Sequence, residues 1–129
     1  MKKIFLIFVL LFSLPSYAKW IKVGQSNNGD IFYFDIEKVK KHGEYIYIEY
    51  LSDLLKPDID GYLSYKSYMQ IDCNLYRYNT LRVSLYKESM GEKEGYTINS
   101  KNAEWRKSPP MTPIRLAIVA ACGSKVTRK

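Results

Sequence analysis

Apolar and polar residues alternate along the stretch from Tyr62 to Cys73. One side of this stretch carries Leu63, Tyr65, Ser67, Met69, Ile71 and Cys73, and the other carries Tyr62, Ser64, Lys66, Tyr68, Gln70 and Asp72. A period of two is typical of a strand with one face against a core. The pattern therefore predicts a long strand whose mainly apolar face ends at Cys73, one of two cysteines in the chain.

Five further segments have strand patterns: residues 20–23, 31–35, 45–51, 75–87 and 96–99. An Asn-Gly pair at residues 28–29 supplies the positive φ angles of a tight hairpin turn between the first two. Asp35 is suited to cap a short helical turn over 36–39, and residues 40–43 are predicted to be a second turn. Six strands in succession predict a meander of antiparallel pairs.

One helix is predicted, over residues 114–122. Thr112 is a good cap, Pro113 suits the first helical position, and Gly123 ends the helix. Its predicted buried face carries Ile114, Ala117, Ile118, Ala121 and Cys122. Since Cys122 and Cys73 both point toward the core, an intrachain disulfide between them is sterically reasonable. Two unpaired thiols or an intermolecular bond are the alternatives.

These elements predict an α+β fold, with about six strands in an antiparallel sheet and one C-terminal helix tethered to it by the Cys73–Cys122 disulfide. Residues 19–129 are enough chain for a single domain with one core. We expect a flexible basic tail from about residue 124.

Residues 1–18 are predicted to be a secretory signal peptide. Lys2 and Lys3 precede the apolar run 4–12, and Ser16 and Ala18 place small residues at positions −3 and −1 of a cleavage site. The run is too short to span a membrane, and no later stretch is long and apolar enough. No cysteine follows closely enough for lipid attachment. We therefore expect an exported protein without a transmembrane segment or lipid anchor, in the periplasm, at the cell surface or secreted.

The formal net charge is +7, and the chain has twelve tyrosines. A basic surface favours anionic partners such as phospholipid or sulfated glycan, although scattered lysines also fit a merely soluble protein. The densest basic clusters are 38–41 and 125–129, and no specific nucleic-acid interface is predicted. Tyrosines on a partly wet sheet form a binding surface or simply cover the sheet. The best candidates for binding residues, on outward faces of the long strands, are Lys66, Tyr68, Arg82 and Tyr86.

Little catalytic equipment is visible, so we expect a binding protein and not an enzyme. The only histidine, His42, precedes Gly43 in a predicted turn and is expected to be a solvated surface residue. One histidine and two cysteines that are predicted to pair make a zinc site unexpected, and no other metal or cofactor is predicted. The acids at 53, 58 and 60 lack the spacing of a calcium loop. No Gly-x-Ser-x-Gly element or glycine-rich phosphate loop is present.

Several short motifs follow one another along the chain: Trp20, Tyr33-Phe34-Asp35, Ile36-Glu37-Lys38-Val39, Ser64-Tyr65-Lys66-Ser67, Asp72-Cys73, Arg77, Trp105, Ser108-Pro109 and Ala120-Ala121-Cys122. In this order they resemble the surface-adhesin protein E family of Gram-negative bacteria. The resemblance implies an antiparallel sheet whose concave face holds a C-terminal helix through a disulfide. It also implies adhesion to host matrix or plasma proteins such as vitronectin and laminin.

The expected function is that of an exported, adhesin-like binding protein of the envelope of a Gram-negative bacterium, for host proteins or anionic glycans or lipids. The family's namesake is lipid-anchored and dimeric, whereas this chain has no lipidation cysteine. The alternative is therefore a soluble periplasmic accessory or inhibitor protein that binds an envelope enzyme or a cell-wall component. Exposed sheet edges permit a homodimer by edge pairing without requiring one.

Overall fold

The structure, a computed structural model, describes residues 19–123, so the predicted signal peptide and basic tail lie outside the described residues. It contains eight strands and one α-helix within that range. The strands are β1 (Trp20–Gln25), β2 (Ile31–Asp35), β3 (Lys40–His42), β4 (Tyr45–Asp53), β5 (Ser64–Asp72), β6 (Arg77–Tyr86), β7 (Gly95–Asn99) and β8 (Arg106–Lys107), and the helix is α1 (Pro113–Cys122).

The main sheet has the strand order β1-β2-β4-β5-β6-β7, and every pairing is antiparallel. This is the predicted meander. Two short strands were not predicted: β3 pairs with the start of β4, and β8 pairs with β6. The predicted turn over residues 40–43 is wrong for its first three residues. The chain reverses only at Gly43, whose φ of +66° suits glycine, so Lys40–His42 is extended and pairs with Tyr45–Tyr47.

The helix covers one face of the sheet and encloses the core. Thr112 caps α1 by accepting a hydrogen bond from the Arg115 amide, and Pro113 is at its start, as the sequence predicts. The fully buried core residues shared by helix and sheet include Phe34, Ile48, Met69, Ile71, Ala117, Ile118 and Ala121. We call this side of the sheet the helix face and the opposite side the open face.

The predicted disulfide is present. Cys73 directly follows β5, Cys122 is the last residue of α1, and their Cα atoms are 5.8 Å apart. Beside it, Asp72 is held by the Arg77 side chain at 3.0 Å and by the amides of Asn74 and Leu75. Burial alone would raise the pKa of the Asp72 carboxyl, but these three donors outweigh it and lower the pKa. The strand end that carries the disulfide is therefore well fixed.

A β-bulge in β6 changes the predicted alternation of its side chains. Tyr68 of β5 pairs with Arg82, but the next residue, Met69, pairs with Thr80, so Leu81 is the extra residue. Unbroken alternation along the predicted strand 75–87 would place Asn79 and Arg82 on opposite faces. This prediction is wrong because the bulge shifts the parity by one, and both residues lie on the open face.

Ser64 fixes the loop that follows β6. Its side chain is fully buried, its Oγ donates to the Glu88 carbonyl at 2.6 Å, and it accepts from the Gly91 amide at 2.8 Å. We expect Ser64→Ala to lower the free energy of unfolding by about 1–3 kcal/mol, because the buried Gly91 amide and the Glu88 carbonyl lose their partner. Urea unfolding measures this.

The matched control is Ser84→Ala, because the Ser84 hydroxyl bonds to the exposed Thr97 hydroxyl. Its expected cost is below about 0.5 kcal/mol. Equal costs for the two variants would contradict the assignment of Ser64 as a loop anchor.

The loop between β4 and β5 is organised by Asp58. Its carboxylate accepts hydrogen bonds from the Tyr65 hydroxyl and from the amides of Tyr62 and Asp60. The Tyr65 hydroxyl is the main reason that the pKa of Asp58 lies below its usual 3.8. Burial, and then this hydrogen bond, raise the pKa of Tyr65 to about 12.

We expect Tyr65→Phe to return the pKa of Asp58 toward 3.8. A carboxyl whose pKa is lowered by folding stabilises the native state above its unfolded pKa, and this stabilisation is lost as the pH falls through the folded value. The variant should therefore lose less stability than the wild type between about pH 5 and pH 2. Carbon-detected NMR titration of Asp58 measures the shift, and an unchanged pKa would contradict it.

Candidate functional site

The open face of the sheet is rich in rings and cations. Strand register places on this face Trp20, Tyr33, Tyr47, Lys66, Tyr68, Arg82 and Tyr86. The helix packs on the opposite face, so these side chains are not part of the core cluster beneath α1. Half-exposed rings beside exposed cations are typical of binding surfaces.

The four candidate residues from the sequence lie together on this face, in two pairs. Arg82 and Tyr68 are direct cross-strand partners, with the guanidinium carbon 4.1 Å from the centroid of the tyrosine ring. Lys66 Nζ lies 5.2 Å from the centroid of the Tyr86 ring. Both distances are those of cation–π pairs, each worth about 0.5–1 kcal/mol at exposed sites.

The two cation–π pairs differ in whether their cation can still contact a ligand. Lys66 is half-buried, and its ammonium also lies 5.7 Å from the Trp20 ring centroid. Its stem packs so closely against Gly91, where φ is +62°, that a Cβ atom there would collide with Lys66 Cε. Lys66 is thus occupied in holding two rings and a loop. Arg82 is exposed, and it is the member of the four best placed to meet a ligand.

Arg82 borders a cleft of about 300 Å³ that sequence reasoning did not identify. Its lining residues are Lys38, Lys40, Glu49, Tyr68 and Arg82. We call this the cationic cleft, because it carries three positive side chains and one carboxylate.

A different local structure positions each of the three cations at the cleft. Lys38 ends the 3-10 turn Ile36–Lys38, which Asp35 caps by accepting from the Glu37 amide, as the sequence predicts. Lys40 is in β3, where it pairs with Tyr47 and so shares the open face with it. The bulge at Leu81 brings Arg82 directly opposite Tyr68. The sequence signal was the basic cluster 38–41, but only the unpredicted pairing of β3 shows that part of this cluster faces Arg82.

The cleft has unneutralised positive charge. Lys38 Nζ lies 3.4 Å from Glu49 Oε2, so one cation is paired. Within residues 19–123, neither Lys40 nor Arg82 has a carboxylate within ion-pair distance. Two unpaired cations on opposite walls of one depression attract anions, and a guanidinium can bind a planar carboxylate or a sulfate oxygen pair through two N–H groups.

The floor of the cleft is held by a network of rings and amides. The Tyr68 ring stacks on Tyr47 at a centroid distance of 6.0 Å. The Gln70 amide donates to the Tyr47 hydroxyl at 3.1 Å and accepts from the Asn79 amide at 3.3 Å. Because these partners fix both rings, the aromatic floor needs little ordering when a ligand binds.

Other features of the described chain offer less for binding. A larger hollow of about 560 Å³ lies beside the disulfide, but its two charged lining residues, Lys41 and Glu44, are of opposite sign. Over residues 19–123, no group of three His, Cys, Asp or Glu side chains is placed to hold a metal ion. Neither does that range contain a helix with the length and apolarity needed to cross a bilayer. His42 is exposed in β3 and contacts the Tyr47 ring edge-on at 6.4 Å.

Comparison with known proteins gives a family and a fold. The model of the surface-adhesin protein E family matches residues 20–123. The fold matches Haemophilus influenzae protein E in crystal form II, with a TM-score of 0.64 and 16% identity over 84% of this chain and 90% of that one. The selenomethionine form gives a TM-score of 0.67 and 14% identity over 89% and 94%. No curated protein matches the sequence.

Proposed function

We propose that this chain, which belongs to the surface-adhesin protein E family, is an exported binding protein of the bacterial envelope that holds anionic groups of its ligand in the cationic cleft. The observation that supports this most is the pair of exposed cations Lys40 and Arg82, which have no carboxylate partner within residues 19–123 and lie on either side of a fixed tyrosine floor. A depression whose lining has a net positive charge attracts anionic groups.

The geometry favours a ligand with repeated sulfate or carboxylate groups. Such groups occur in matrix glycans and in acidic segments of host proteins, and both would meet Arg82 with a planar or multivalent anion. Tyr68 adds a ring against which an apolar part of the ligand can pack. Heparin, a sulfated glycan, is the simplest probe with this chemistry.

Binding, and not catalysis, is the role that we infer. The family is one of adhesins, and the chain's single histidine is solvent-exposed on β3, with a tyrosine ring edge as its aromatic neighbour. No sequence motif supplies a nucleophile beside it. The cleft offers cations and rings, which recognise anions without any bond being made or broken.

Retention on immobilised heparin tests the ligand class. We expect the domain 19–129 to be retained at about 0.15 M salt and released well before 1 M, because the screening length falls from about 8 Å to about 3 Å over that range. A column of unsulfated hyaluronan separates the roles of sulfate and carboxylate. Passage through the heparin column without retention at about 0.05 M salt would refute the proposed ligand class.

Protease treatment of intact cells tests the place of action. Digestion of the domain on intact cells would support a surface adhesin that meets host ligands. Protection until the outer membrane is opened would support the alternative, a periplasmic accessory protein whose cleft binds an anionic envelope component. Binding of heparin by the purified domain does not depend on where the protein is located in the cell. The ligand class and the location are therefore tested separately.

A further inference from the structure

One buried carboxylate oxygen has no hydrogen-bond donor among residues 19–123. Asp35, the last residue of β2, is fully buried. Its Oδ1 accepts from the Glu37 amide at 3.0 Å and from the backbone nitrogen of Lys19 at 3.3 Å. Its Oδ2 is buried as well, and no donor in the described range 19–123 reaches it. Buried polar groups are nearly always satisfied, and a buried carboxylate that lacks donors is costly.

The nitrogen beside this carboxylate is the one that the predicted processing site would set free. Lys19 follows Ala18, after which the sequence predicts signal-peptide cleavage. In the uncleaved chain this nitrogen is a neutral amide with one N–H, which is already used on Oδ1. Hydrolysis breaks the Ala18–Lys19 C–N bond. The oxygen of water joins the Ala18 carbonyl carbon as a carboxylate, and the nitrogen becomes a protonated amine with three N–H groups.

We propose that cleavage between Ala18 and Lys19 creates an ion pair between the new α-ammonium of Lys19 and the buried Asp35 carboxylate. The ammonium keeps its bond to Oδ1 and has further donors for Oδ2. This inference rests on the proposed export of the chain. It assigns Asp35 as the receptor of the processed N-terminus and makes the mature protein more stable than any form extended at that end.

The surroundings of Lys19 fit this role. Its carbonyl accepts from the Ile36 amide at 3.1 Å, and the next residue, Trp20, is the strand partner of Asp35. Its side chain reaches outward, with Nζ 3.6 Å from Glu37 Oε1. The backbone of Lys19 is therefore fixed from two sides, with its nitrogen facing the carboxylate. A chain end one residue earlier or later would remove the charge from this position.

Thermal unfolding of purified domains with different N-termini tests the proposal. One form begins at Lys19, one carries a single extra alanine before it, and one begins at Lys19 with its α-amine acetylated. We expect the first to unfold at a temperature at least about 4 °C above the other two. In the Asp35→Asn background this difference should vanish, whereas in the matched control Glu37→Gln it should remain.

Equal unfolding temperatures for the three wild-type forms would overturn the inference, as would a difference that persists in Asp35→Asn. Should Asp35→Asn fail to fold, the acetylated form still decides, because it removes the charge and two N–H donors of the chain end and leaves every side chain unchanged. The intact mass of protein purified from the envelope should correspond to a start at Lys19, and a different start would also refute it. Heparin retention should be the same for all forms, so this test stands apart from that of the ligand class.

Discussion

Removal of the Cys73–Cys122 disulfide is expected to lower the free energy of unfolding by about 4 kcal/mol. The bond joins residues 49 apart in the sequence, and closing a loop of that length restricts the unfolded chain by about this amount on the chain-entropy model. Small domains are stable by only about 5–15 kcal/mol, so the loss is a large part of the total. Urea unfolding of the Cys73→Ala/Cys122→Ala variant measures it.

The reduced wild-type protein is the matched control, since it retains both sulfur atoms and lacks only the bond. Its loss should nearly equal that of the double variant. The helix should still dock, because Ala117, Ile118 and Ala121 remain fully buried against the sheet and Thr112 still caps its start. A loss below about 1 kcal/mol in both proteins would mean that the unfolded chain is already compact and gains nothing from the cross-link.

Local signals were sufficient for most of the fold. The six strands of the meander, the capped turn after Asp35 and the helix from Pro113 to Cys122 each depend on periodicity, a turn residue or a cap within a few positions of the element. The disulfide could also be predicted, because both cysteines occupy apolar faces of their elements. In such cases the local preference and the tertiary structure agree.

What the sequence did not predict depends on pairing between distant segments. β3 has no apolar face of its own, since its three residues are Lys40, Lys41 and His42, and it exists because β4 offers it an unpaired edge. The bulge at Leu81 has no local signature, although it decides that Arg82 faces Tyr68. The cationic cleft requires both features. Tyr68 and Arg82 were predicted to be binding candidates from their outward strand positions. Lys38, Lys40 and Glu49 were not, because the pairing of β3 with β4 that forms the cleft was not predicted.

The joint variant Lys40→Glu/Arg82→Glu is expected to raise the Kd for heparin by at least about tenfold, which corresponds to about 1.4 kcal/mol. The wild-type cleft has three cations and one carboxylate, a local charge of +2, and the two reversals leave one cation and three carboxylates, a local charge of −2. The attraction that gathers an anionic ligand thus becomes repulsion. Titration calorimetry at about 0.05 M and about 0.15 M salt measures the change and its screening.

The effect of the overall net charge on heparin affinity must be separated from the effect of the charges in the cationic cleft. The variant Lys56→Glu/Lys101→Glu changes the net charge equally, at two exposed residues that do not line the cleft. If the cleft holds the ligand, this control should retain an affinity within about threefold of the wild type, a difference worth less than about 1 kcal/mol. Equal loss in both variants would mean that heparin senses only the overall positive charge. Retained affinity in the cleft variant would mean that heparin binds outside the cationic cleft. The pair formed by Lys66 and Tyr86 on the same open face would then be the next to test.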